Sequence, residues 1–214
     1  RTSWSVAKRS IQLSYRRKKF FNIFNIFFNV IFQISNYCII MSKNSKDIVI
    51  TSAFRTAIGK YKGIWENSQS SKLGELVIKK ILEDTKLNSN LIDEVIMGQV
   101  LTGNAGQNPA RQAAIRAGIP KEKTGYIINQ VCGSGLRSIA SGFQSIMSNN
   151  SNVVVAGGQE SMSQAPHVIH IRNGKKLGDT ELIDSMIRDG LWDAFNGYHM
   201  GITAENVAQQ FQVT

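Results

Sequence analysis

The sequence predicts an α/β layered domain on a largely parallel sheet, followed by a loop-rich insertion. Three observations predict it. From residue 47 onward, short apolar runs alternate with segments of helical periodicity. The run Val153-Val154-Val155 is continuously apolar, as suits a strand covered on both faces. Asn108-Pro109 places a proline where the first turn of a helix tolerates it.

Taken in order, Ile48-Val49-Ile50 reads as the start of a first strand. Ser71 is placed to cap a helix whose Leu73, Leu76, Val77 and Ile81 share a face. Within LIDEVIMGQV, Val95-Ile96-Met97 forms a short strand. The helix opened by Asn108-Pro109 carries Ala110, Ala113, Ala114 and Ala117, a small-residue face suited to close packing. GYIINQV is the next strand, ending at Val131. Leu136, Ile139, Ala140, Phe143, Ile146 and Met147 then recur at helical spacing. After the Val153 strand and Gly157-Gly158 the alternation stops. Asn173-Gly174 marks a turn. Ile183, Met186 and Ile187 predict a short helix that Gly190 is placed to end. The expected division is a leader over 1–40, an α/β domain over 41–158, an insertion over 159–198 and a returning segment over 199–214.

Charge is unevenly distributed. The formal net charge is +10, with 25 Lys and Arg against 15 Asp and Glu. Residues 1–40 hold seven of the basic residues and no acid, which leaves 18 basic against 15 acidic in the remainder. So balanced a body, without aromatics interleaved among basic clusters, argues against a nucleic-acid partner. The cysteines are Cys38 and Cys132, with no CxxC or Cys/His spacing for a metal. Two widely separated thiols fit a reducing compartment, so the expected location is the cytoplasm.

The leader, RTSWSVAKRSIQLSYRRKKFFNIFNIFFNVIFQISNYCII, admits three readings. As a membrane anchor, its Phe20–Ile40 stretch has the length of a span but would bury Asn22, Asn25, Asn29, Gln33 and Asn36 in lipid. As a transit peptide it is basic and free of acids, and the protein would be mitochondrial, yet the Phe/Ile/Asn tract does not make an Arg-rich amphipathic helix. The preferred reading is upstream sequence translated in frame. Phe, Asn, Ile and Lys are residues of AT-rich codons, and Met41 opens a polar start. A membrane partner is accordingly not expected.

Cys132 falls where a strand ends and a helix begins, the edge of an α/β sheet at which ligands bind. A helix N-terminus offers unpaired N–H groups and partial positive charge, which favour thiolate over thiol. Gly133 and Gly135 remove Cβ atoms from the approach, and Ser134 is placed to cap the helix. The junction has the form of a nucleophile elbow with sulfur in place of oxygen. Two plainer readings stand beside it: a small buried hydrophobe, the commoner fate of a lone cysteine, or a Gly-rich phosphate cradle. Neither GxxxxGK[ST] nor GxGxxG is present, which weakens the cradle.

NQVCGSGLRSIASGFQSI resembles the acyl-cysteine segment of thiolases, especially the biosynthetic acetyl-CoA acetyltransferases. GGQESMSQAPH, GLWDAFNGYHMGITAENVA, GQNPARQAA and IVITSAFRTAIGKYKG resemble further segments of that family in the same order, from about Asp47 to the end. The resemblance implies a thiolase-like fold of which this chain is the N-terminal half. It implies that Cys132 becomes acylated from an acyl-CoA, with acetyl-CoA and acetoacetyl-CoA as substrates and no cofactor. It further implies that Leu191, His199 and Met200 line the pantetheine and acyl pocket. The plainer readings are local hydrogen bonding for His199 and core packing for Met200. His167 and His170 are expected at the surface, Glu160 in a structural hydrogen bond, and Arg172, Lys175 and Lys176 on a solvated face. The family's activating His and second Cys belong to C-terminal segments that have no match here, so this chain is expected to be inactive alone. It is also expected to expose apolar surface, to dissolve poorly and, at full length, to form a homo-oligomer. Other readings of the same fold are a non-catalytic acyl-CoA or lipid binder, a Cys-dependent acyl hydrolase and a ketoacyl synthase.

Overall fold

The computed structural model describes residues 47–213, so the expectations for residues 1–40 and Cys38 lie outside the described residues. Helix α1 (Ser70–Thr85) leads to strand β1 (Glu94–Gly98), helix α2 (Pro109–Arg116), strand β2 (Thr124–Ile128), helix α3 (Ser134–Met147) and strand β3 (Val154–Gly158). The three strands form a sheet of order β2-β1-β3, with both pairings parallel. The α/β layered, parallel reading of the sequence is therefore correct. After β3 come a two-residue antiparallel pair, β4 (His167–Val168) and β5 (Ile183–Asp184), a π-helical turn (Met186–Leu191) and helix α4 (Met200–Phe211).

One core lies beneath α1 and α2. Ile78, Ile92, Val95, Met97, Ala110, Ala113, Ala114, Ala117 and Ile119 are buried together, with Ile127, Val153 and Val155 against them. Val95 and Met97 point to this layer because side chains alternate along a strand. The alanine face of α2 allows the close approach the sequence predicts. A Cβ on Gly74 of α1 would lie 3.2 Å from the Ala113 Cβ. Asn108 caps α2, its Oδ1 accepting from the Arg111 N–H at 3.1 Å while its Nδ2 donates to the Gly125 carbonyl at 2.8 Å. At the other end Gly118, at φ 96°, closes a Schellman turn: its N–H meets the Ile115 carbonyl and the Ile119 N–H meets that of Ala114, both at 3.0 Å.

Helix α3 covers the opposite face of β1 and β3 with a stripe of small residues, Ser134, Ser138 and Gly142. A Cβ on Gly142 would stand 3.1 Å from Val154 Cγ1. The Ser138 hydroxyl lies 2.6 Å from both the Gly135 and Gly157 carbonyls and can serve either with its single proton. The apolar stripe legible in the sequence points the other way. Leu136 is 73% exposed and Phe143 51%, with Ile139 and Met147 also open. The helix is as the periodicity predicts, but its sheet side is chosen by small residues that let the backbones approach.

Several expectations are corrected. Residues 48–50 form no strand; Val49 and Ile50 are exposed, and no ladder partner for them exists among the described residues. Ser71 lies inside α1 rather than capping it, its buried hydroxyl accepting from Arg116 Nη1 at 3.2 Å. The second strand stops at Ile128, since Val131 adopts a left-handed backbone at φ 47° that no strand continues through. Strand β3 is only half-buried rather than covered on both faces, because it lies at a sheet edge. Ile183 belongs to β5, where it pairs with Val168; only Met186 and Ile187 of the predicted helix are helical, and Gly190 sits inside the π-helical turn. The Asn173-Gly174 turn is present, closed by the Gly174 N–H to the Ile171 carbonyl.

Two carboxylates, one joining segments of the sheet and one inside α1, predict acid sensitivity. Asp93 Oδ2 accepts the Asn152 N–H at 2.8 Å and the Val153 N–H at 3.3 Å, joining the chain before β1 to that before β3. Those backbone N–H groups, and secondarily Lys123, hold its proton affinity below the ordinary carboxylate value. Buried Glu75 is held low chiefly by Lys79, whose Nζ is 2.7 Å away, and by Lys72. A depressed folded-state value means stability is present above the unfolded value and lost as pH falls through the folded one. The thermal midpoint is therefore expected to fall below about pH 4, and Asp93→Asn to flatten that fall, as followed by circular dichroism.

Candidate active site

Parallel strands deliver their carboxyl ends to one edge, and Cys132 lies there, exposed, in the turn between β2 and α3. The turn is sharp because Val131, a β-branched residue, is held at φ 47°, a conformation that costs on the order of 1–3 kcal/mol. Side chains enforce it from both ends. Asn129 Oδ1 accepts the Val131 N–H at 2.9 Å. Ser134 Oγ accepts the Gln130 N–H at 2.8 Å and donates to the Val131 carbonyl at 2.6 Å. The Gly133 and Ser134 N–H groups close the turn onto the Gln130 and Val131 carbonyls at 3.0 and 3.1 Å. Ser134 therefore does not cap α3. It is the first helical residue and its buried hydroxyl reaches back into the turn, while Gly133 holds the cap position without a side-chain bond.

The glycine on which the junction depends is Gly98, at the end of β1. A Cβ there would meet the Ser134 carbonyl carbon at 2.4 Å, the Gly135 nitrogen at 2.5 Å and the Ser134 carbonyl oxygen at 2.6 Å. Gly98 thus allows β1 to run under the N-terminus of α3. Gly135 itself faces open space, with nothing within 4 Å of a Cβ built on it. At the same edge Glu160 accepts the Val100 N–H at 2.8 Å and the Leu101 N–H at 3.3 Å. Burial raises its proton affinity, partly offset by those donors. That is the structural hydrogen bond expected of it. Gln159 Nε2 donates to Gln99 Oε1 at 2.9 Å, so the chain leaving β3 is pinned to the chain leaving β1.

Leu191, His199 and Met200 lie in the segment that follows β5. Leu191 ends the π-helical turn, and the Trp192–His199 bridge brings the chain back to α4, whose first residue is Met200. The loop between is closed by the Asp193 N–H to the Tyr198 carbonyl at 2.8 Å. His199 caps α4, its Nδ1 accepting the Gly201 N–H at 3.0 Å. Accepting at Nδ1 places the ring proton of the neutral imidazole on Nε2, which is left as a donor. Cys132 belongs to the sheet edge and not to this segment. The two adjoin through Leu101, whose Cδ2 lies 3.6 Å from a Cβ built on Gly190. A shallow cleft of about 320 Å³ beside Leu191 is lined by Ile183, Asp184, Ile187, Arg188 and Trp192 and contains none of the predicted site residues. His167 faces Asp184 at 3.8 Å, and His170, Arg172, Lys175 and Lys176 are exposed.

Among the described residues no group of three or more His, Cys, Asp or Glu could hold a metal ion, and no helix is long and apolar enough to cross a membrane. Sequence reasoning missed the roles of Gly98, Asn129 and Val131. The Asn129 role has a local signal, an Asx turn two residues before the strained position. Gly98 has none, since the α3 backbone it must clear meets it only in the folded domain.

Residues 48–214 match the family described as "Thiolase, N-terminal domain". Over 171 residues the chain is 55% identical to an "Acetyl-CoA acetyltransferase" of Rhizobium meliloti (strain 1021), covering 80% of this chain and 44% of the relative. A protein of the same description from Shinella zoogloeoides is 52% identical over 171 residues, covering 80% and 43%. The "Acetyl-CoA acetyltransferase, cytosolic" of Rattus norvegicus is 48% identical over 174 residues, covering 81% and 44%. The chain spans less than half the length of these curated relatives.

Proposed function

This chain belongs to the thiolase family through its N-terminal domain, and from that premise we propose that, together with the portion its relatives possess beyond the match, it acts as an acetyl-CoA C-acetyltransferase. The observation that carries the proposal is an exposed thiol on a strained turn at the carboxyl edge of a parallel sheet, one residue before the cap of α3. Cys132 Sγ attacks the carbonyl carbon of one acetyl-CoA. The bond from that carbon to the CoA sulfur breaks, and CoA leaves as a thiol carrying the proton the cysteine gave up. The methyl carbon of a second acetyl-CoA, deprotonated, then attacks the acetyl carbon held on Cys132. The cysteine leaves as a thiol, and the products are acetoacetyl-CoA and CoA. Dividing the condensation in this way exploits a thioester as both a ready acyl acceptor and a good leaving group. The Cys132 N–H at the mouth of α3 is the donor offered to the developing oxyanion, and the bases for both proton transfers lie outside this chain.

Leu191, His199 and Met200 take the pantetheine and acyl end of the substrate. The Nε2–H that His199 retains while capping α4 supports a donor role toward a carbonyl. The open apolar stripe of α3, with Leu136, Ile139, Phe143 and Met147, supports packing against the further portion of the protein, and hence inactivity of this chain by itself. Assembly into a homo-oligomer in the cytoplasm belongs to the same reading. Product analysis tests it. Full-length protein given acetoacetyl-CoA and free CoA is expected to yield acetyl-CoA alone. Release of free acid would make it a hydrolase, and a requirement for an acyl carrier protein would make it a condensing synthase.

A further inference from the structure

We infer that Ser134 and Asn129 are positioning residues for the Cys132 nucleophile, acting by locking Val131 in its left-handed conformation; the inference rests on the acyl-transfer reading of Cys132. Left to itself a valine avoids positive φ, because its branched Cβ crowds the backbone there. Here Val131 sits at φ 47° directly before Cys132, so its backbone sets the direction in which the cysteine leaves β2. Three side-chain hydrogen bonds converge here, one on each of the two peptide groups that flank Val131 and one on the peptide before them. Asn129 Oδ1 takes the Val131 N–H at 2.9 Å. Ser134 Oγ takes the Gln130 N–H at 2.8 Å and gives its own proton to the Val131 carbonyl at 2.6 Å.

The Ser134 hydroxyl is suited to this and to little else. It is 4% exposed, engaged both as donor and as acceptor, and fixed on the first turn of α3, whose backbone packs on Gly98. Asn129 is anchored in turn by its Nδ2, 3.5 Å from the Val100 carbonyl beyond β1. The clasp therefore references the cysteine to two rigid elements, the β1 edge and the α3 axis, rather than to a mobile loop. A rotation in this backbone would swing the sulfur away from a substrate carbonyl held by other residues. Misplacement by about 1 Å is worth up to about 10²-fold in rate.

The test follows acetylation of Cys132 in the full-length protein by acetoacetyl-CoA, in single-turnover mass spectrometry that gives both a rate constant and a final labelled fraction. Ser134→Ala is expected to lower the rate constant at saturating substrate by about tenfold or more. The half-saturating concentration and the final labelled fraction are expected to stay the same. A purely structural role would instead reduce the labelled fraction, as protein is lost to unfolding, and leave the rate of the remainder intact. Adding Val131→Gly to Ser134→Ala is expected to restore most of the rate, since glycine adopts positive φ without a clasp to hold it. Ser134→Thr, which keeps the hydroxyl, is expected to retain most of the rate. If Ser134→Ala does not fold, Asn129→Ala carries the same expectation from the exposed end of the clasp, including rescue by Val131→Gly. An unchanged rate constant in these variants, or no rescue by glycine, overturns the inference while leaving acyl transfer standing. Failure of the unsubstituted protein to label at Cys132 overturns the acyl-transfer reading, and this inference with it.

Discussion

Gly98→Ala is expected to cost most of the stability of the domain. The added methyl would lie 2.4–2.6 Å from three atoms of the Ser134-Gly135 backbone. None of them belongs to a side chain that could rotate away. Either β1 must leave its place between β2 and β3, or the N-terminus of α3 must lift from the sheet. Overpacking of this kind, with no rotamer to relieve it, falls in the tail of mutational effects, on the order of 4 kcal/mol. That is comparable with the total stability of many domains, about 5–15 kcal/mol. The check is the denaturant midpoint of soluble material, or its absence. Gly135→Ala is the control: space is open there, and alanine in a helix is favoured over glycine by roughly 0.5–1 kcal/mol. Equal midpoints for the two variants would show that the β1–α3 contact is not the tight one described.

Cys132→Ser is expected to give the largest effect on activity. Serine keeps the shape of the turn and leaves the Asn129–Ser134 clasp untouched, but replaces a thiol by a far weaker nucleophile under the same conditions. Acetoacetyl-CoA thiolysis by full-length protein is expected to fall by at least about 10³-fold in kcat, with the denaturant midpoint unchanged. The pairing of lost rate with retained stability separates a nucleophile from a buried packing residue, which would show the reverse. The exposure of Cys132 already argues for the former.

The layered fold was legible because most of its strands and helices meet within the chain. Val95 and Met97 find Ala113 and Ala117 locally, so periodicity read in sequence survived into packing. Legibility failed where the deciding partner is not a local one. Ile48–Ile50 has the composition of a strand, yet a strand is made by its ladder partner, and none is present among the described residues. The apolar face of α3 looked like a core face, but the sheet accepts Ser138 and Gly142 instead because only small residues let α3 approach β1 and β3. At the candidate site the position of Cys132 at a strand–helix junction was readable from the alternation of elements. The means of holding it was not: Ser134 looked like a helix cap, and only the fold shows its hydroxyl turned backward onto Val131.

In the proposed reaction Cys132, exposed at the carboxyl edge of this sheet, receives the acyl group. The most direct measurement digests full-length protein quenched after brief exposure to acetoacetyl-CoA and locates the added acetyl mass by fragmentation. One acetyl group is expected, on the peptide containing Cys132, removed by free CoA and absent from Cys132→Ser. An acetyl group on another residue, or one that persists in Cys132→Ser, would contradict it.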